Sequence, residues 1–369
     1  MTANRLLAGV TQLFRNSTAR ARGILAAILC RLVGVAALSR AIAYVEARDD
    51  TWMTIHARPR RTANARRAPD TISDLVPRIG IVLQGPITVA DDFTLETVRL
   101  YRRHFPTADI IVSTWADEDA GQVAQLRDAG TTVLLNEKPS MSGHCNTNYQ
   151  LASAVAGIRE CAARGLPIAL KSRTDQRMYA PNALSFLHAA LTTFPPHPGF
   201  NQKGRIIGVS TNTLKYRMYG LSDFLTFGYT DDLLEYWSCD PDTRTIQHNR
   251  PFTIGEHARD NLCETYFATA YLRRIGREIR WTLADSWDAF AAHFCIIDHN
   301  SLDLFWPKYH RWSEYRRLSY DRTRSDTEMT FADWLLLYAR VVDSAAAPEA
   351  ALECLFGEDI LGKDGGLNR

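Results

Sequence analysis

The chain has 369 residues, beyond the ~100–200 usual for one domain, and its 46% hydrophobic and 23% charged residues, with only 15 Pro and 21 Gly, exclude a peptide-sized, low-complexity or collagen-like role. The net charge of +2 hides a split: residues 1–70 hold 12 Arg, no Lys and 4 acidic residues, net +8, and the remainder is net −6. That distribution argues against a general nucleic-acid-binding surface and puts the electrostatic interest at the N-terminus, where arginines attract anionic lipid or polyanions. The seven cysteines are scattered and form no CxxC pair, so neither a disulfide framework nor a zinc ribbon is indicated and a reducing compartment is the simpler reading.

In chain order, the apolar runs Gly23–Cys30 and Leu32–Leu38 are interrupted by Arg31 and followed by Arg40. A spanning helix wants ~20 mostly apolar residues, so residues 1–45 are expected to lie on a membrane surface with snorkelling arginines. A helix docked on the protein's own core and a targeting segment are the alternatives. Residues 46–77, with Pro59, Pro69 and Pro77 and the basic runs Arg58–Arg61 and Arg66–Arg67, read as a linker.

From residue 78 the pattern changes. Ile79–Leu83 is a short β-branched apolar run ending in Gln84-Gly85-Pro86, as expected for a buried parallel strand entering a turn. Asp91 and Asp92 are placed to cap a helix carrying Leu95, Val98, Tyr101 and Phe105 at helical spacing. Strand Asp109–Trp115, a helix near 120–129, strand Thr131–Leu135, a helix near 147–163 and strand Pro167–Ser172 follow. Such alternation predicts an α/β fold with a mostly parallel sheet and helices on both faces. Ligands of such sheets bind beyond the carboxyl ends of the strands, which nominates Gln84–Ile87, Thr114–Asp117, Asn136–Gln150 and Arg173–Arg177.

Arg173-Thr174-Asp175-Gln176-Arg177 sets one carboxylate between two guanidinium groups after a buried strand. A carboxylate there can hold Mg²⁺ or Mn²⁺, and arginines pair directly with phosphates, so the segment suits a diphosphate; a surface ion-pair cluster is the plain alternative. Asn146, Asn148 and Gln150 add amides at the opening of a helix, where backbone N–H groups favour anions. No GxGxxG follows the first strand and no GxxxxGK[ST] occurs, which disfavours dinucleotide oxidoreductases and P-loop NTPases.

The series Val82–Ile87, Phe105-Pro106 with Ile110–Trp115, Asn146–Gln150, Leu170–Asp175, Ser222–Gly228, Glu264–Tyr266, Ile296–Asp298 and Lys308-Tyr309 resembles the WavE lipopolysaccharide-synthesis family over roughly Arg78 to His310. Its members are similar to nucleotide-sugar glycosyltransferases of the GT-A fold. The resemblance implies a GT-A-like domain over 78–315 and a bacterial enzyme that transfers sugar from a nucleotide donor to a surface glycan, in lipopolysaccharide core, O-antigen or capsule. It would work peripherally on the cytoplasmic face of the inner membrane. Asp175 then stands at the metal-binding position and Mg²⁺ or Mn²⁺ is the implied cofactor. Where the family pattern of GT-A enzymes has a second aspartate, this chain has Arg173, so Arg173 and Arg177 are expected to neutralise part of the diphosphate themselves.

Gln84, Gly85, Pro86, Thr114, Asn146, Asn148, Gln150, Lys171, Arg173, Arg177 and Lys308 make up the expected donor-binding set. Asp223 and Glu264 are the two candidates for the general base, with a turn residue and an exposed helix carboxylate as their plain alternatives. His293, His299 and His310 lack metal-type spacing and are read as structural. Trp287, Trp306, Tyr309, Trp312 and Tyr315 are read mainly as packing residues, with sugar stacking for a minority. Residues 316–369 are expected to form a helical extension, with Phe331, Trp334, Leu335, Tyr338 and Val341 on one helix and a frayed end. Two rival functions remain on this reading, a sugar nucleotidyltransferase and a non-catalytic membrane-associated scaffold.

Overall fold

The computed structural model describes residues 42–44, 47, 56, 58–64, 77–245, 254–308 and 328–342. The chain divides into two compact units, 1–58 and 59–369. Of the first unit, Ile42, Ala43, Tyr44 and Ala47 are helical; the apolar runs of the leader lie outside the described residues, as do Tyr309, His310, Trp312, Tyr315 and the chain end after 342. Among the described residues no helix is long and apolar enough to cross a membrane.

The second unit is an α/β fold. Its strands are β1 (Ile79–Gln84), β2 (Asp109–Trp115), β3 (Thr132–Asn136), β4 (Ile168–Arg173), β5 (Arg177–Met178), β6 (Ile206–Val209), β7 (Thr226–Tyr229), β8 (Phe294–Ile297) and β9 (Leu304–Phe305). Its helices are α1 (Phe93–His104), α2 (Ala120–Asp128), α3 (Thr147–Ala163), α4 (Ala183–Thr193), α5 (Thr230–Trp237), α6 (Ile254–Asn261), α7 (Cys263–Arg274), α8 (Leu283–His293) and α9 (Phe331–Val342). Seven strands form one sheet in the order β3-β2-β1-β4-β7-β6-β8, with β7 antiparallel to both its neighbours and the other pairings parallel. This is the expected α/β arrangement, a mostly parallel sheet flanked by helices.

Every residue of β1 is buried, because helices cover both faces and a central parallel strand has no wet side. Gly80, Val82 and Gln84 face α3. A Cβ on Gly157 of α3 would lie 2.2 Å from Val82 Cγ1, so glycine at 157 lets helix and strand approach closely. Neighbouring strands in register present the same face, and Gly80, Val82 and Gln84 pair with Ala169, Lys171 and Arg173. Lys171 and Arg173 are thereby aimed toward the layer containing α3 and α5.

Two local expectations change. Asp92 precedes α1 in a left-handed conformation and makes no side-chain capping bond; Asp91 and Asp92 instead pair with Arg60 and Arg61. Part of the expected linker also lies against α1: Thr62 donates from its backbone N–H to Glu96 Oε2 at 2.7 Å and from Oγ1 to the Glu96 carbonyl at 2.9 Å. At the other end α9 packs on α8 and β8, with the Trp334 indole buried and donating to the Phe290 and Phe294 carbonyls.

Candidate active site

The carboxyl ends of β1, β2 and β4 and the start of α3 enclose a cavity of about 410 Å³. Gln84, Gly85 and Pro86 line it from the end of β1, Trp115 from β2, Arg173, Thr174 and Asp175 from β4, and Cys145, Asn146, Tyr149 and Gln150 from the opening of α3. The turn after β1 is built by its own residues. Gly85 has φ +111°, a conformation that disfavours any side chain, and Thr174 bridges the two strand ends through N–H to the Gln84 carbonyl at 3.1 Å and Oγ1 to the Pro86 carbonyl at 2.6 Å.

Asp175 and Arg173 form a two-point ion pair, Nε to Oδ1 at 2.8 Å and Nη2 to Oδ2 at 3.0 Å. The Trp306 indole N–H donates to the same Oδ2 at 3.1 Å, and its ring lies 4.9 Å from the Arg173 guanidinium carbon. Burial pushes the Asp175 carboxyl up, but the hydrogen bond and charge of Arg173, with Trp306, outweigh it and hold the group below its ordinary pKa. Trp306 arrives because β9 pairs antiparallel with β5, setting Phe305 opposite Arg177.

A second acidic centre adjoins this one. Gln150, which lines the cavity, stands beside Asp223 and favours its charged form, so that carboxyl sits behind the wall. The residue after Asp223 packs Phe224 edge-on against Trp306 at 4.4 Å. Burial pushes the Asp223 carboxyl up, and the neighbouring negative charge of Glu264 adds to the rise. Glu264 opens α7 and is held the other way: burial raises it, but the Arg217 charge, the Asn212 Nδ2 bond to Oε1 at 2.6 Å and the Cys263 thiol bring it below its ordinary value. Two carboxyls driven apart by their surroundings are the arrangement that lets one stay ionised as the other takes a proton.

Lys171, Thr114, Asn148 and Arg177 do not line this cavity. Lys171 is fully buried; Nζ donates to the Asp223 carbonyl and stands 4.3 Å from the Trp237 ring centre, and burial lowers its pKa to about 7. Thr114 Oγ1 donates to Glu118 Oε1 at 2.6 Å, which also receives the Ile87 N–H, so it anchors the turn after β1. Asn148 clamps two segments: its Nδ2 donates to the Met141 and Asp242 carbonyls, and its Oδ1 accepts from the Asp242 N–H at 2.6 Å. Arg177 is buried and donates to Thr97 Oγ1, the Phe93 and Arg60 carbonyls and the Tyr179 hydroxyl, which turns its guanidinium into a brace for α1. Lys308 is exposed, two residues beyond Trp306. Trp306, Cys145, Tyr149, Trp115 and Lys138 join the site without having been singled out for donor binding; the nominated strand-end segments Thr114–Asp117 and Asn136–Gln150 contain the last four, and Trp306 belongs to the aromatic-rich stretch.

His293 and His299 take structural partners, Gln202 for the first and Ser210 for the second; burial depresses His293 to about 3. Toward a divalent cation Asp175 offers a single carboxylate. Both carboxylate oxygens are engaged by Arg173 and Trp306, and among the described residues no group of three or more His, Cys, Asp or Glu converges.

No curated protein matches the sequence. Among solved structures, one assigned as a glucose-1-phosphate thymidylyltransferase from Bacillus anthracis, in complex with a sucrose, aligns at 12% identity and TM-score 0.29, covering 53% of this chain and 83% of that one. The profile of the WavE lipopolysaccharide synthesis family matches residues 79–360, most of the chain and all of the cavity-lining segments. The chain belongs to the WavE lipopolysaccharide synthesis family.

Proposed function

We propose that this protein is a glycosyltransferase that moves a sugar from a nucleotide-sugar donor to a lipopolysaccharide acceptor glycan. The observation that carries the reading is the convergence of the Arg173–Asp175 pair, the Gln84–Pro86 turn and the opening of α3 on one cavity beyond the carboxyl ends of parallel strands. In the transfer, the bond from the anomeric carbon to the diphosphate oxygen breaks and a bond to the acceptor oxygen forms. Negative charge grows on the leaving diphosphate, and Arg173, fixed by Asp175 and stacked on Trp306, meets it from the cavity wall. From behind Gln150, Asp223 takes the acceptor hydroxyl's proton through one bridging water, because its raised pKa gives it base strength, and the Glu264 charge sustains that rise. The Gln150 amide oxygen, buried without a partner among the described residues, orients the hydroxyl toward it.

On this reading the diphosphate pairs with Arg173 directly, in place of the Mg²⁺ or Mn²⁺ that Asp175 alone would suggest. The inner-membrane surface remains the proposed partner of residues 1–45, and the cytoplasmic face of that membrane the proposed location. Deleting those residues should release the protein from membranes with transfer to a soluble acceptor mimic retained; unchanged membrane association would remove the leader from the proposal.

The deciding experiment incubates the full chain with a panel of nucleotide sugars, with Mn²⁺ or with EDTA, and identifies the released phosphate species. Nucleoside diphosphate release that persists in EDTA is expected. Pyrophosphate release would establish a nucleotidyltransferase instead, and absence of calorimetric binding to every donor would leave a scaffold.

A further inference from the structure

Asp223 and Glu264 share a support that the transfer chemistry does not use. Residues 210–217 run on from β6, and Asn212 among them has φ +64°, the left-handed region that Asn tolerates better than most side chains. Asn212 Nδ2 donates to Glu264 Oε1 at 2.6 Å and its Oδ1 accepts from Arg217 Nη1 at 3.0 Å, so one amide bridges guanidinium and carboxylate. Arg217 Nη1 itself stands 3.6 Å from the same Oε1. At the next position, Thr213 Oγ1 accepts the backbone N–H of Ser222 at 3.1 Å, and Ser222 immediately precedes Asp223. Two adjacent loop residues therefore reach both acids, one through its side-chain amide and one through the backbone before Asp223.

Chain from far downstream fastens this loop. Glu328 Oε1 accepts the Asn212 N–H at 3.3 Å, Leu214 and Glu328 form an antiparallel bridge, and the buried Met329 donates its N–H to the Thr213 carbonyl at 2.8 Å. The strap is anchored where α9 begins. Thr330 and Asp333 cap the helix reciprocally, the Thr330 N–H donating to Asp333 Oδ2 at 2.9 Å and the Asp333 N–H to Thr330 Oγ1 at 3.2 Å. The other Asp333 oxygen pairs with Lys215 Nζ of the loop at 3.0 Å, with the two side chains only 5% and 4% exposed. Separating that pair would leave a buried charge unmatched, which ties loop and strap into one piece.

We propose that Asn212 and Thr213 are positioning residues for the Asp223–Glu264 pair and that residues 328–333 hold them there, so that the C-terminal extension completes the support of both acids. Donation from Asn212 and the charge of Arg217 favour the ionised form of Glu264. That charge keeps Asp223 basic, a consequence for turnover that rests on the sugar-transfer reading. The other titratable and charged groups around the two acids are Cys263 on α7, Cys145 at the opening of α3, Tyr236 on α5, and Lys171 and Arg173 on β4. None of these belongs to the loop or the strap, so changes confined to residues 212 and 328 leave them in place.

The test follows isotope-labelled glutamate carboxyls of the full chain by NMR across a pH titration, the Glu264 signal being the one lost in Glu264→Gln. Asn212→Gly deletes the amide while suiting the left-handed backbone, and the Glu264 midpoint should move to higher pH. Glu328→Ala alters neither acid nor any group bonded to Glu264, yet should move the midpoint the same way, and Glu328→Gln, which keeps an acceptor oxygen, should recover most of the shift. In transfer assays Asn212→Gly and Glu328→Ala should each lose roughly 5–30-fold in kcat with KM unchanged. A Glu264 midpoint that stays in place in Asn212→Gly would overturn the positioning role, and one that moves there but not in Glu328→Ala would overturn the strap. Because the carboxyl signal is read without substrate, an unaltered chain that transfers no sugar would refute the sugar-transfer reading and leave this inference to the titration.

Discussion

The Trp306 indole donates to Asp175 Oδ2 at 3.1 Å across 131 positions of sequence, and its ring covers the guanidinium that grips the same carboxylate. Asp175, Arg173 and Trp306 thus behave as one unit, in which the acid orients the guanidinium and the ring packs on it.

Replacing Asp175 with Asn should lower kcat/KM for the donor by about 10²–10³-fold, the scale of losing an organised charge-stabilising group. The side chain is 28% exposed and contributes no core, so the thermal midpoint should stay near that of the unaltered protein. Trp306→Phe keeps a ring against Phe224 but removes one hydrogen bond, and a smaller loss of roughly 5–30-fold is expected. Steady-state kinetics paired with thermal melts check both.

The pH dependence of transfer should carry the signature of Asp223. With Asp223 acting as a carboxylate base, activity falls on the acid side, and burial together with the Glu264 charge places that limb above the ordinary carboxylate range. Glu264→Gln removes a negative neighbour, which makes Asp223 easier to ionise and should move the limb to lower pH. An unmoved limb in kcat/KM profiles of the two proteins would separate Asp223 from the proton transfer.

Lys171 gives a stability test with a definite sign. Burial lowers its folded-state pKa to about 7, so between about pH 7 and the ordinary lysine value the unfolded chain binds a proton that the folded protein does not. The Lys171 contribution therefore makes stability rise with pH across that window. Lys171→Met should flatten the rise in urea denaturation, and at pH 8 the lost bond to the Asp223 carbonyl should cost about 1–3 kcal/mol.

Gly157→Ala tests the contact that brings α3 onto β1. With the new Cβ only 2.2 Å from Val82 Cγ1, the helix must shift or the valine must leave its rotamer, and a destabilisation of about 1–3 kcal/mol is expected. A drop in the denaturant midpoint with an unchanged m value would report overpacking of the fold.

The central strands and α3 were legible from residue order alone. Ile79–Leu83 is a continuous apolar run and Asp109–Trp115 is centred on Ile110-Ile111-Val112 because each strand is covered on both faces, and the expected strand Pro167–Ser172 lies one residue from the observed Ile168–Arg173. The helix expected near 147–163 is Thr147–Ala163. The strand-end rule likewise located Gln84–Pro86, Asn146, Gln150 and Arg173–Asp175, which share the cavity.

Which guanidinium faces that cavity was settled only in three dimensions. Arg173 and Arg177 flank Asp175 symmetrically in sequence, yet Arg177 is consumed by α1 and its neighbours and Arg173 pairs with the acid. Asp91 and Asp92 look like helix caps until Arg60 and Arg61 are brought beside them. Local pattern reports how one residue's polarity suits strand, helix or turn, and so it determined the layers and the rim of the site. A polar side chain's partner is chosen by chain folded in from elsewhere, and it was the pairing of β5 with β9 that delivered Trp306 to Asp175.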